Sequence, residues 1–320
     1  MSKILVIGST NIDLITKVER FPVAGETITG KLFMQAMGGK GANQALAAHR
    51  LGGEVRFVTC LGADPNGANA LDYYTSEGLD ISKALRVDHD PTGTAVILVN
   101  DEGENIIVIT PGANDKLSPK YISKLESEIA GSSMVMLQME IPMETVVKTC
   151  ELAKANNVPV LLNVAPARAI DDDLIRKIEI LVVNETEIEA ICGKQIANDG
   201  EDALIDTLLS KGTKTVILTL GKKGCIIKTK AFRHHIPAFD VNPVDTTAAG
   251  DTFCGALVAR LSNGESIVDA VRFATAAAAI CVTRIGAQPS IPKEDEVQTF
   301  LLTNSTKQNG IGEASRSVIK

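Results

Sequence analysis

At 320 residues, the chain is long enough for one large domain or two smaller ones, and its 45% hydrophobic and 22% charged residues are typical of a globular protein. Acidic residues outnumber basic ones by 39 to 32, and no basic stripe carries interleaved aromatic residues, so we do not expect nucleic acid as a partner. The six cysteines lack the spacing of a zinc site or a disulfide framework, and no apolar run approaches the ~20 residues of a membrane span.

The same features predict a cytoplasmic protein with reduced thiols. The N-terminus passes from one lysine directly into a short apolar strand, which is not the pattern of an export signal. The four histidines, at positions 49, 89, 234 and 235, lie outside any nucleophile-elbow context. Hydrolysis by a Ser/His/Asp triad is therefore disfavoured.

Short β-branched runs alternate with helical segments along most of the chain. The strands are nearly continuous apolar runs, which indicates an α/β fold with a mostly parallel sheet buried on both faces. In such a sheet, the loops at the carboxyl ends of the strands carry the functional site. The predicted strands are, in chain order, KILVIG, VRFVTC, MVMLQM, VPVLLNV, ILVVN and TVILTL; helices are predicted after Gly41, Pro65, Pro142 and Asn184, near 203–209, and twice near the end of the chain.

Two segments, about 13–37 and 93–110, interrupt this alternation without an obvious crossover helix. The second predicts a hairpin, because two β runs flank a polar turn that contains Asp101 and Gly103. We predict that the two segments form a small β-sheet lid over the strand ends; the alternative is that they extend the main sheet. Apolar lid residues such as Phe33, Met34 and Ile97 need cover, which a second subunit would supply.

The C-terminal stretch from Thr303 has little apolar content and no periodicity. It predicts a polar, disordered tail over residues 303–320, after one large domain over residues 1–302.

The stretch DTTAAGDTF, residues 245–253, precedes an apolar run with helical spacing. Asp251 at such a helix start has two interpretations. It can cap the helix, because a carboxylate satisfies free N–H groups and complements the positive end of the helix dipole. It can instead act as a general base beside an anion site, formed by the backbone N–H groups of Ala249, Gly250 and Asp251, which small side chains leave accessible.

A second candidate site follows the first predicted strand. The stretch GSTNID, residues 8–13, places Asn11 and Asp13 on one side of an extended chain. An amide and a carboxylate on one face can bind sugar hydroxyls, which both donate and accept hydrogen bonds. A simple turn, which Asn and Asp also favour, is the alternative.

The glycine-rich stretch MGGKGANQALAA, residues 37–48, fits neither the Walker nor the Rossmann pattern. It predicts a flexible turn that enters a helix at about Ala42, with Lys40 and Asn43 near the end of the helix where polar groups can meet a ligand. A close-packed turn before a helix explains the glycines equally well.

Three further motifs follow predicted strands. LQME ends a strand with Glu140, where a buried carboxylate is costly unless another group pairs with it. In NETE, Asn184 and Glu187 form either a plain capping pair or a site that positions hydrated Mg²⁺ on nucleotide phosphates. In TLGKKG, Gly221 and Gly224 allow either close approach of a flat ligand or a tight hairpin.

The motifs, taken together and in this order, resemble the ribokinase-like carbohydrate kinase family, also called the PfkB family. GGKGANQA resembles the N-terminal signature of the family and DTTAAGDTF its C-terminal signature. The resemblance covers about residues 3–301 and implies a three-layer α/β/α domain, a β lid that pairs in a homodimer, and transfer of the ATP γ-phosphate to a primary hydroxyl of a sugar. Further matching stretches are GSTNID, LQME, NVAPAR, NETE and VTRIGAQPS.

The resemblance also implies a role for each matching residue. Asp251 would be the catalytic base, and the segment Ala248, Ala249, Gly250 would build the anion hole with the Asp251 N–H group. The sugar pocket would comprise Asn11, Asp13, Gly39, Lys40, Asn43, Glu140 and Asp251. The ATP site would comprise Asn184, Glu187, Thr219, Gly221, Gly224, Gly250 and Thr275, with Mg²⁺ near Asn184 and Glu187. An activating K⁺ would lie at Asp245, Thr247, Cys281, Arg284, Gly286 and Ser290, in part through backbone carbonyl groups.

The chain departs from the family pattern at two positions. Many members have GAGD where this chain has AAGD, residues 248–251; Ala248 keeps a small side chain, so we expect an intact anion hole. Some members have a histidine where this chain has Thr275, which puts the contacts with the adenine base in question.

Phosphoryl transfer depends on positioning and charge stabilisation, which an anion hole, Mg²⁺ and a base would supply. The resemblance, with which this chemistry agrees, implies ATP-dependent phosphorylation of the 5-hydroxyl of D-ribose, which gives D-ribose 5-phosphate. 2-Deoxyribose or another sugar is the alternative, although the amide of Asn11 suits a hydroxyl better than its absence. A non-catalytic sugar sensor is disfavoured because Asp251 and the Mg²⁺ residues are present, and a nicotinamide oxidoreductase because GSTNID is not GxGxxG.

Overall fold

A computed structural model describes the backbone of residues 3–314 and the side chains of residues 3–304. Strands and helices alternate along most of this range, as the periodicity predicts. The strands are β1 (Lys3–Ile7), β2 (Asn11–Lys17), β3 (Leu32–Gly38), β4 (Glu54–Val58), β5 (Cys60–Gly62), β6 (Leu85–Val87), β7 (Gly93–Val99), β8 (Asn105–Thr110), β9 (Met134–Leu137), β10 (Val160–Asn163), β11 (Ile180–Asn184), β12 (Thr215–Thr219), β13 (Cys225–Thr229) and β14 (Arg233–Ile236). The helices are α1 (Lys40–Arg50), α2 (Pro65–Ser76), α3 (Pro119–Ser123), α4 (Glu126–Ala130), α5 (Met143–Ala155), α6 (Asp172–Ile175), α7 (Glu185–Cys192), α8 (Ile196–Asp199), α9 (Glu201–Lys211), α10 (Ala249–Ser262), α11 (Ile267–Cys281) and α12 (Glu294–Ala314), with 3-10 turns at Gly112–Lys116, Gly221–Lys223 and Gln288–Ser290.

The central sheet has eight strands in the order β14-β13-β12-β11-β10-β9-β1-β4. The six strands from β12 to β4 are parallel, while β13 pairs antiparallel with both of its neighbours, β12 and β14. This arrangement confirms the predicted mostly parallel sheet. Parallel strands place their carboxyl ends at one edge of the sheet, so the loops that follow them can build one site. A separate parallel pair, β5-β6, lies outside this sheet.

Two hydrophobic cores cover the two faces of the sheet and make the domain three-layered. Strand β1 shows the alternation: Ile4 and Val6 pack into one core, while Leu5 and Ile7 pack into the other. The first core includes apolar side chains of α1, α2, α10 and α11, and the second those of α5, α7 and α9. Each fully buried Ile or Leu contributes about 1.5–3 kcal/mol to stability, so burial on both faces anchors the strand ends firmly.

The two interrupting segments form a sheet of their own, in the order β3-β2-β7-β8. Strand β2 pairs antiparallel with β3 and parallel with β7, and the β7–β8 hairpin is antiparallel, with Gly103 in the left-handed region of its turn (φ 81°). The predicted small sheet is therefore confirmed, and the alternative that these strands extend the main sheet is wrong. The segments lack the helical crossovers that would return them to a parallel sheet.

One boundary differs from the sequence-based prediction. Helix α1 begins at Lys40, not at about Ala42, because Gly39 takes a positive φ of 90° at the N-cap and allows the helix to start at once. Helix α12 extends to Ala314, with Thr303 Oγ1 donating to the Thr299 carbonyl and Asn304 Nδ2 to the Phe300 carbonyl, and the disordered tail from Thr303 stays a prediction. The rest of that prediction, on residues 315–320, lies outside the described part of the chain.

Gly41 brings the start of α1 into contact with the end of β1. A Cβ atom at this position would lie 2.5 Å from the Gly8 carbonyl carbon and from the Ser9 nitrogen, so any side chain would push the helix away. The Ala42 N–H donates to the Ser9 carbonyl at 2.9 Å across this contact. The glycine-rich motif thus sets how closely the first residues of α1 approach the carboxyl edge of the sheet.

Candidate active site

Polar residues at the ends of three neighbouring strands gather at the carboxyl edge of the sheet. Gln138 follows β9, and Asn163 and Asn184 end β10 and β11. The N-terminal ends of α1 and α10 meet these strand ends, because α1 and α10 pack against each other and against β1. One edge of the sheet therefore collects residues from five distant parts of the sequence, as the parallel topology requires.

Asp251 lies in the first turn of α10, is only 7% exposed, and points away from its own helix. One carboxylate oxygen accepts a hydrogen bond from Asn43 Nδ2 at 2.9 Å, and the other from Gln44 Nε2 at 2.9 Å. Within the described residues, no side chain caps α10. The capping interpretation of Asp251 is therefore wrong, because both oxygens are bonded to α1.

The backbone before Asp251 leaves two N–H groups available for an anion. The Ala249 N–H donates to the Thr246 carbonyl at 3.3 Å, whereas within residues 3–314 no acceptor is found for the N–H groups of Gly250 and Asp251. Ala248 precedes them in the left-handed region (φ 59°, ψ 9°), which costs an L-residue about 1–2 kcal/mol and explains why a glycine suits this position in the family pattern. The geometry supports an anion site with two free donors and differs from the predicted three.

Asp13, on strand β2 of the small sheet, is close enough to Asp251 for the charge of Asp251 to raise its pKa. Its side chain is 7% exposed, and within the described residues its carboxylate accepts no hydrogen bond. Burial, together with the nearby charges of Glu140 and Asp251, raises the pKa of Asp13 to about 7, against the opposing effect of Lys40. A buried carboxylate without a partner is a costly feature, and a ligand hydroxyl is the group that would satisfy it.

The side-chain amide of Asn11, two residues earlier, is held in one orientation by Asn114. Its Oδ1 accepts a hydrogen bond from Asn114 Nδ2 at 2.8 Å, and Asn114 is itself held by the backbone N–H and carbonyl groups of Thr10. The Nδ2 group of Asn11 is thereby left as the available donor. The pair Asn11 and Asp13 thus presents one donor and one acceptor, which is the combination that a sugar hydroxyl requires.

The carboxylate of Glu140, just after the buried strand β9, is satisfied by hydrogen bonds. Its Oε2 accepts hydrogen bonds from Ser9 Oγ at 2.7 Å and from the Lys40 backbone N–H at 2.9 Å. The Ser9 hydroxyl in turn accepts from the Gly41 N–H at 3.2 Å. Glu140 thus ties the loop after β9 to the first turn of α1.

Lys40 places a positive charge among the carboxylates of the site. Burial lowers its pKa, but the charges of Asp251, Glu140 and Glu187 raise it by more, so the net pKa is above the ordinary value. The ammonium group therefore remains protonated at neutral pH. It partly neutralises an otherwise strongly acidic cluster.

Asn184 and Glu187 form a complete capping box at the start of α7. Asn184 Oδ1 accepts from the Glu187 N–H, and Glu187 Oε2 accepts from the Asn184 N–H, both at 2.8 Å. The capping interpretation is confirmed. Glu187 is nevertheless close enough to Lys40 and Asp251 for each to influence its pKa, which burial raises. The capping role and a position beside the site therefore coexist.

The predicted nucleotide residues lie around the β12–β13 hairpin. Gly221 and Gly224 adopt positive φ values of 53° and 91°, so the tight-hairpin interpretation of TLGKKG is confirmed. Thr219 Oγ1 donates to the Val183 carbonyl at 3.3 Å, and the buried Thr275 Oγ1 donates to the Val271 carbonyl at 2.8 Å. Thr275 also contacts Cys225, at the start of β13, so α11 packs on the hairpin.

The six residues predicted for K⁺ lie close together in the segment before α10 and in the segment from the end of α11 onward. Asp245 accepts from the Thr247 N–H and hydroxyl through one oxygen and from the Gly286 N–H through the other. Cys281 Sγ lies 3.0 Å from Ser290 Oγ and 3.7 Å from the Thr247 carbonyl oxygen. The Arg284 N–H donates to the Cys281 carbonyl at 3.1 Å. These segments offer several oxygen atoms in one place, which is the ligand type that a hard cation prefers.

Five buried amides that were not predicted as site residues complete the site: Gln44, Gln138, Asn163, Asn114 and Gln288. Each is bonded, directly or through one other amide, to Asp251 or to Asn11. Gln44 is adjacent to Asn43 in the glycine-rich motif, and Gln138 precedes Glu140 in LQME, so their motifs were the available signal. Their burial and contacts depend on tertiary packing.

Two further features of the described part of the chain concern membrane crossing and metal binding. No helix there combines the length and the apolar character that crossing a bilayer requires. No group of three or more His, Cys, Asp or Glu side chains within these residues is arranged to hold a metal ion.

Comparison with known proteins agrees with this geometry over nearly the whole chain. Residues 1–294 match the model of the pfkB family carbohydrate kinases. The ribokinase of Haemophilus influenzae is 42% identical over 297 residues, which cover 92% of this chain and 97% of that protein. The deoxyribokinase of Salmonella typhi is 36% identical, over 94% of this chain and 99% of its own length.

Solved structures show the same similarity in three dimensions. The ribokinase of Thermotoga maritima superposes with a TM-score of 0.87 at 40% identity, covering 94% of this chain and 99% of its own. The ribokinase of Arabidopsis thaliana, in complex with ribose and ATP, superposes with a TM-score of 0.87 at 32% identity over 94% and 98% of the two chains. On its sequence, its fold and the arrangement of its cleft, the chain belongs to the pfkB family of carbohydrate kinases.

Proposed function

We propose that the protein is an ATP-dependent kinase that phosphorylates the 5-hydroxyl of D-ribose and releases D-ribose 5-phosphate. The observation that carries this proposal is the arrangement around Asp251: an oriented carboxylate beside two free backbone N–H groups, opposite the unpartnered carboxylate of Asp13. The similarity to ribokinases at about 40% identity over more than nine-tenths of the chain supports the same substrate class.

Each group has a step to perform in this reaction. Asp13 and the Asn11 amide would hold sugar hydroxyls, with Gly39, Lys40, Asn43 and Glu140 around them. Asp251 would accept the proton of the attacking hydroxyl as that oxygen bonds to the γ-phosphorus. The Gly250 and Asp251 N–H groups would stabilise the negative charge that builds up on the phosphoryl oxygens. The positive end of α10 acts on the same charge.

ATP would lie along the β12–β13 hairpin, against Thr219, Gly221, Gly224 and Thr275. Asn184 and Glu187 fit a role near Mg²⁺, because the Glu187 carboxylate uses one oxygen in the capping box and offers a second one at the edge of the site. Mg²⁺ would neutralise phosphate charge when bound; it is held mainly by phosphates and waters in such sites. The six cysteines are unpaired, which supports a reducing, cytoplasmic setting.

The choice of sugar is tested by ADP release from MgATP in potassium buffer with D-ribose, 2-deoxyribose, fructose, adenosine or no sugar. Strong preference for D-ribose supports the proposal. Preference for 2-deoxyribose would favour the second candidate, which the similarity to deoxyribokinase raises. If no sugar increases ADP release, the kinase proposal is overturned and a non-catalytic sugar sensor is favoured. Binding titrations of the protein with the same sugars would then test the sensor function.

We propose further that K⁺ activates the enzyme at the cluster of Asp245, Thr247, Cys281, Arg284, Gly286 and Ser290. The loop with Asp245 leads directly into α10, so a cation there would order the backbone that presents the Gly250 and Asp251 N–H groups. Replacing K⁺ by Na⁺ should lower kcat severalfold, since Na⁺ is smaller and suits a different cavity. Equal turnover in matched K⁺ and Na⁺ buffers would contradict this prediction, and Asp245→Asn should reduce the difference.

We also propose that the lid sheet pairs with a second copy in a homodimer. The edge strand β8 is exposed along its whole length, with Val108 60% exposed, and Phe33 on the opposite edge strand is 61% exposed. An open apolar edge strand normally finds a partner. Light scattering after gel filtration should give the dimer mass for the wild type, and Val108→Asp should give the monomer mass. A wild-type monomer at micromolar concentration would contradict the proposal.

A further inference from the structure

Gln44 is the only residue besides Asn43 whose side chain is found bonded to the Asp251 carboxylate within the described part of the chain. It is completely buried, so it cannot reach a substrate. Its Nε2 donates one hydrogen bond to Asp251 Oδ1 at 2.9 Å and another to Asn163 Oδ1 at 3.0 Å. Both N–H bonds of this amide are therefore used, and one of them ends on Asp251.

A second buried amide fixes which end of Gln44 faces Asp251. Gln138 Nε2 donates to Gln44 Oε1 at 2.8 Å. If the Gln44 amide were reversed, its oxygen would face the Asp251 carboxylate and the Asn163 oxygen, and three acceptors would meet. The donor of Gln138 prevents this arrangement, because it holds the Gln44 oxygen on the far side.

Gln138 is itself held by close packing. Its side chain is fully buried, and its Oε1 atom lies against Gly8, where a Cβ atom would come within 2.0 Å of it. Its Nε2 group is directed at Gln44 Oε1. The contact with Gly8 therefore supports the orientation in which Gln138 donates to Gln44.

We infer that Gln44, oriented by Gln138, is a positioning residue for Asp251 and fixes the direction in which the carboxylate meets the attacking hydroxyl. This inference rests on the proposed function, in which Asp251 is the base. Asn43 holds one carboxylate oxygen and Gln44 the other, so rotation of the carboxylate about its Cβ–Cγ bond is blocked. Loss of the Gln44 donor frees that rotation, and small errors in alignment are expensive in rate.

The test is steady-state kinetics of the intact enzyme with Gln44→Met, which keeps the length and lack of branching but removes the donor. We expect kcat to fall about tenfold or more, with the KM values for sugar and ATP within about threefold of wild type, because a fully buried side chain touches neither substrate. Gln138→Met should also lower kcat, but by less, because Gln138 reaches Asp251 only through its hydrogen bond to Gln44. The double variant should be no slower than Gln44→Met, since Gln138 acts through Gln44.

Thr149→Val on α5 is the control, because it removes a buried hydroxyl that bonds only to its own helix, and should leave kcat unchanged. Circular dichroism verifies that each variant is folded; if Gln44→Met is not, Gln138→Met decides alone. A folded variant with kcat within twofold of wild type overturns the inference, as does a KM that rises in step with the fall in kcat. A wild-type protein without turnover on any sugar of the panel overturns the proposed function as well, so the two failures are distinguishable.

Discussion

Asp251→Asn should lower kcat by roughly 10²-fold or more while the protein remains folded, because the variant loses the group that accepts the proton of the attacking hydroxyl. The substitution preserves size and leaves one amide oxygen to accept from Asn43 or Gln44, so only one of the two hydrogen bonds is lost. The lost hydrogen bond is made to a carboxylate and is worth about 1.5–3 kcal/mol, which a domain of this size tolerates. The measurement is kcat and KM for both substrates, with a thermal unfolding curve for each protein.

Asp269→Asn is the matched control for this experiment. Asp269 occupies the same position in the first turn of α11 that Asp251 occupies in α10, but its carboxylate accepts from the Ser266 hydroxyl of its own helix and is exposed. The control should keep the wild-type kcat. Near wild-type turnover by Asp251→Asn would remove Asp251 from the role of base, whereas equal losses in both variants would point to a general effect of charge at helix starts.

The fold could be predicted from the sequence where local periodicity and topology agree. Apolar runs such as ILVVN are short and continuous, which identifies strands buried on both faces, and the helices between them leave the parallel arrangement as the natural solution. The separate small sheet followed from the lack of crossover helices. The start of α1 was misplaced by two residues, because the effect of Gly39 depends on a backbone angle that only the packing of α1 against β1 determines.

The site was predictable only to the level of residue identity. The motifs pointed to Asp251, Asp13, Asn11 and Glu140, and the structure brings these side chains to one edge of the sheet. The sequence could not show that Asp251 bonds to α1 and not to its own helix. Nor could it show the chain of amides from Gln138 to Asp251, because polar residues inside apolar segments look alike whether their partners are water or protein.

Asp13→Asn should raise the KM for the sugar by about 10- to 100-fold, with a smaller effect on the KM for ATP. A carboxylate that accepts hydrogen bonds from sugar hydroxyls makes charge-assisted bonds of about 1.5–3 kcal/mol each, and an amide makes weaker ones and offers one acceptor fewer. Because the pKa of Asp13 is about 7 in the free protein, the wild-type KM for the sugar should also improve as the pH rises through 7. This pH dependence should be absent from the variant.

The same substitution should stabilise the protein at alkaline pH. The folded-state pKa of about 7 lies above the ordinary value of 3.8, so the folded protein binds more protons than the unfolded chain between these values. The free energy of unfolding therefore falls as the pH rises from about 4 to 7, and the loss is complete above pH 7. At about 1.36 kcal/mol for each pKa unit, ionisation of Asp13 costs up to about 4 kcal/mol, which the asparagine variant avoids. Urea unfolding at pH 5 and pH 8 would measure the difference.

We expect Asp13→Asn to bind the sugar more weakly and to be more stable at pH 8. The ionised carboxylate destabilises the free protein but binds the sugar, so its removal improves stability and weakens binding. Asp101→Asn, in the exposed turn of the same lid sheet, is the control and should change neither the KM nor the pH dependence of stability, because Asp101 pairs only with Lys31 at the surface. An unchanged sugar KM in Asp13→Asn would place Asp13 outside the sugar pocket. Unchanged stability at pH 8 would show that its charge is already compensated within the protein, so that no ligand is needed to satisfy it.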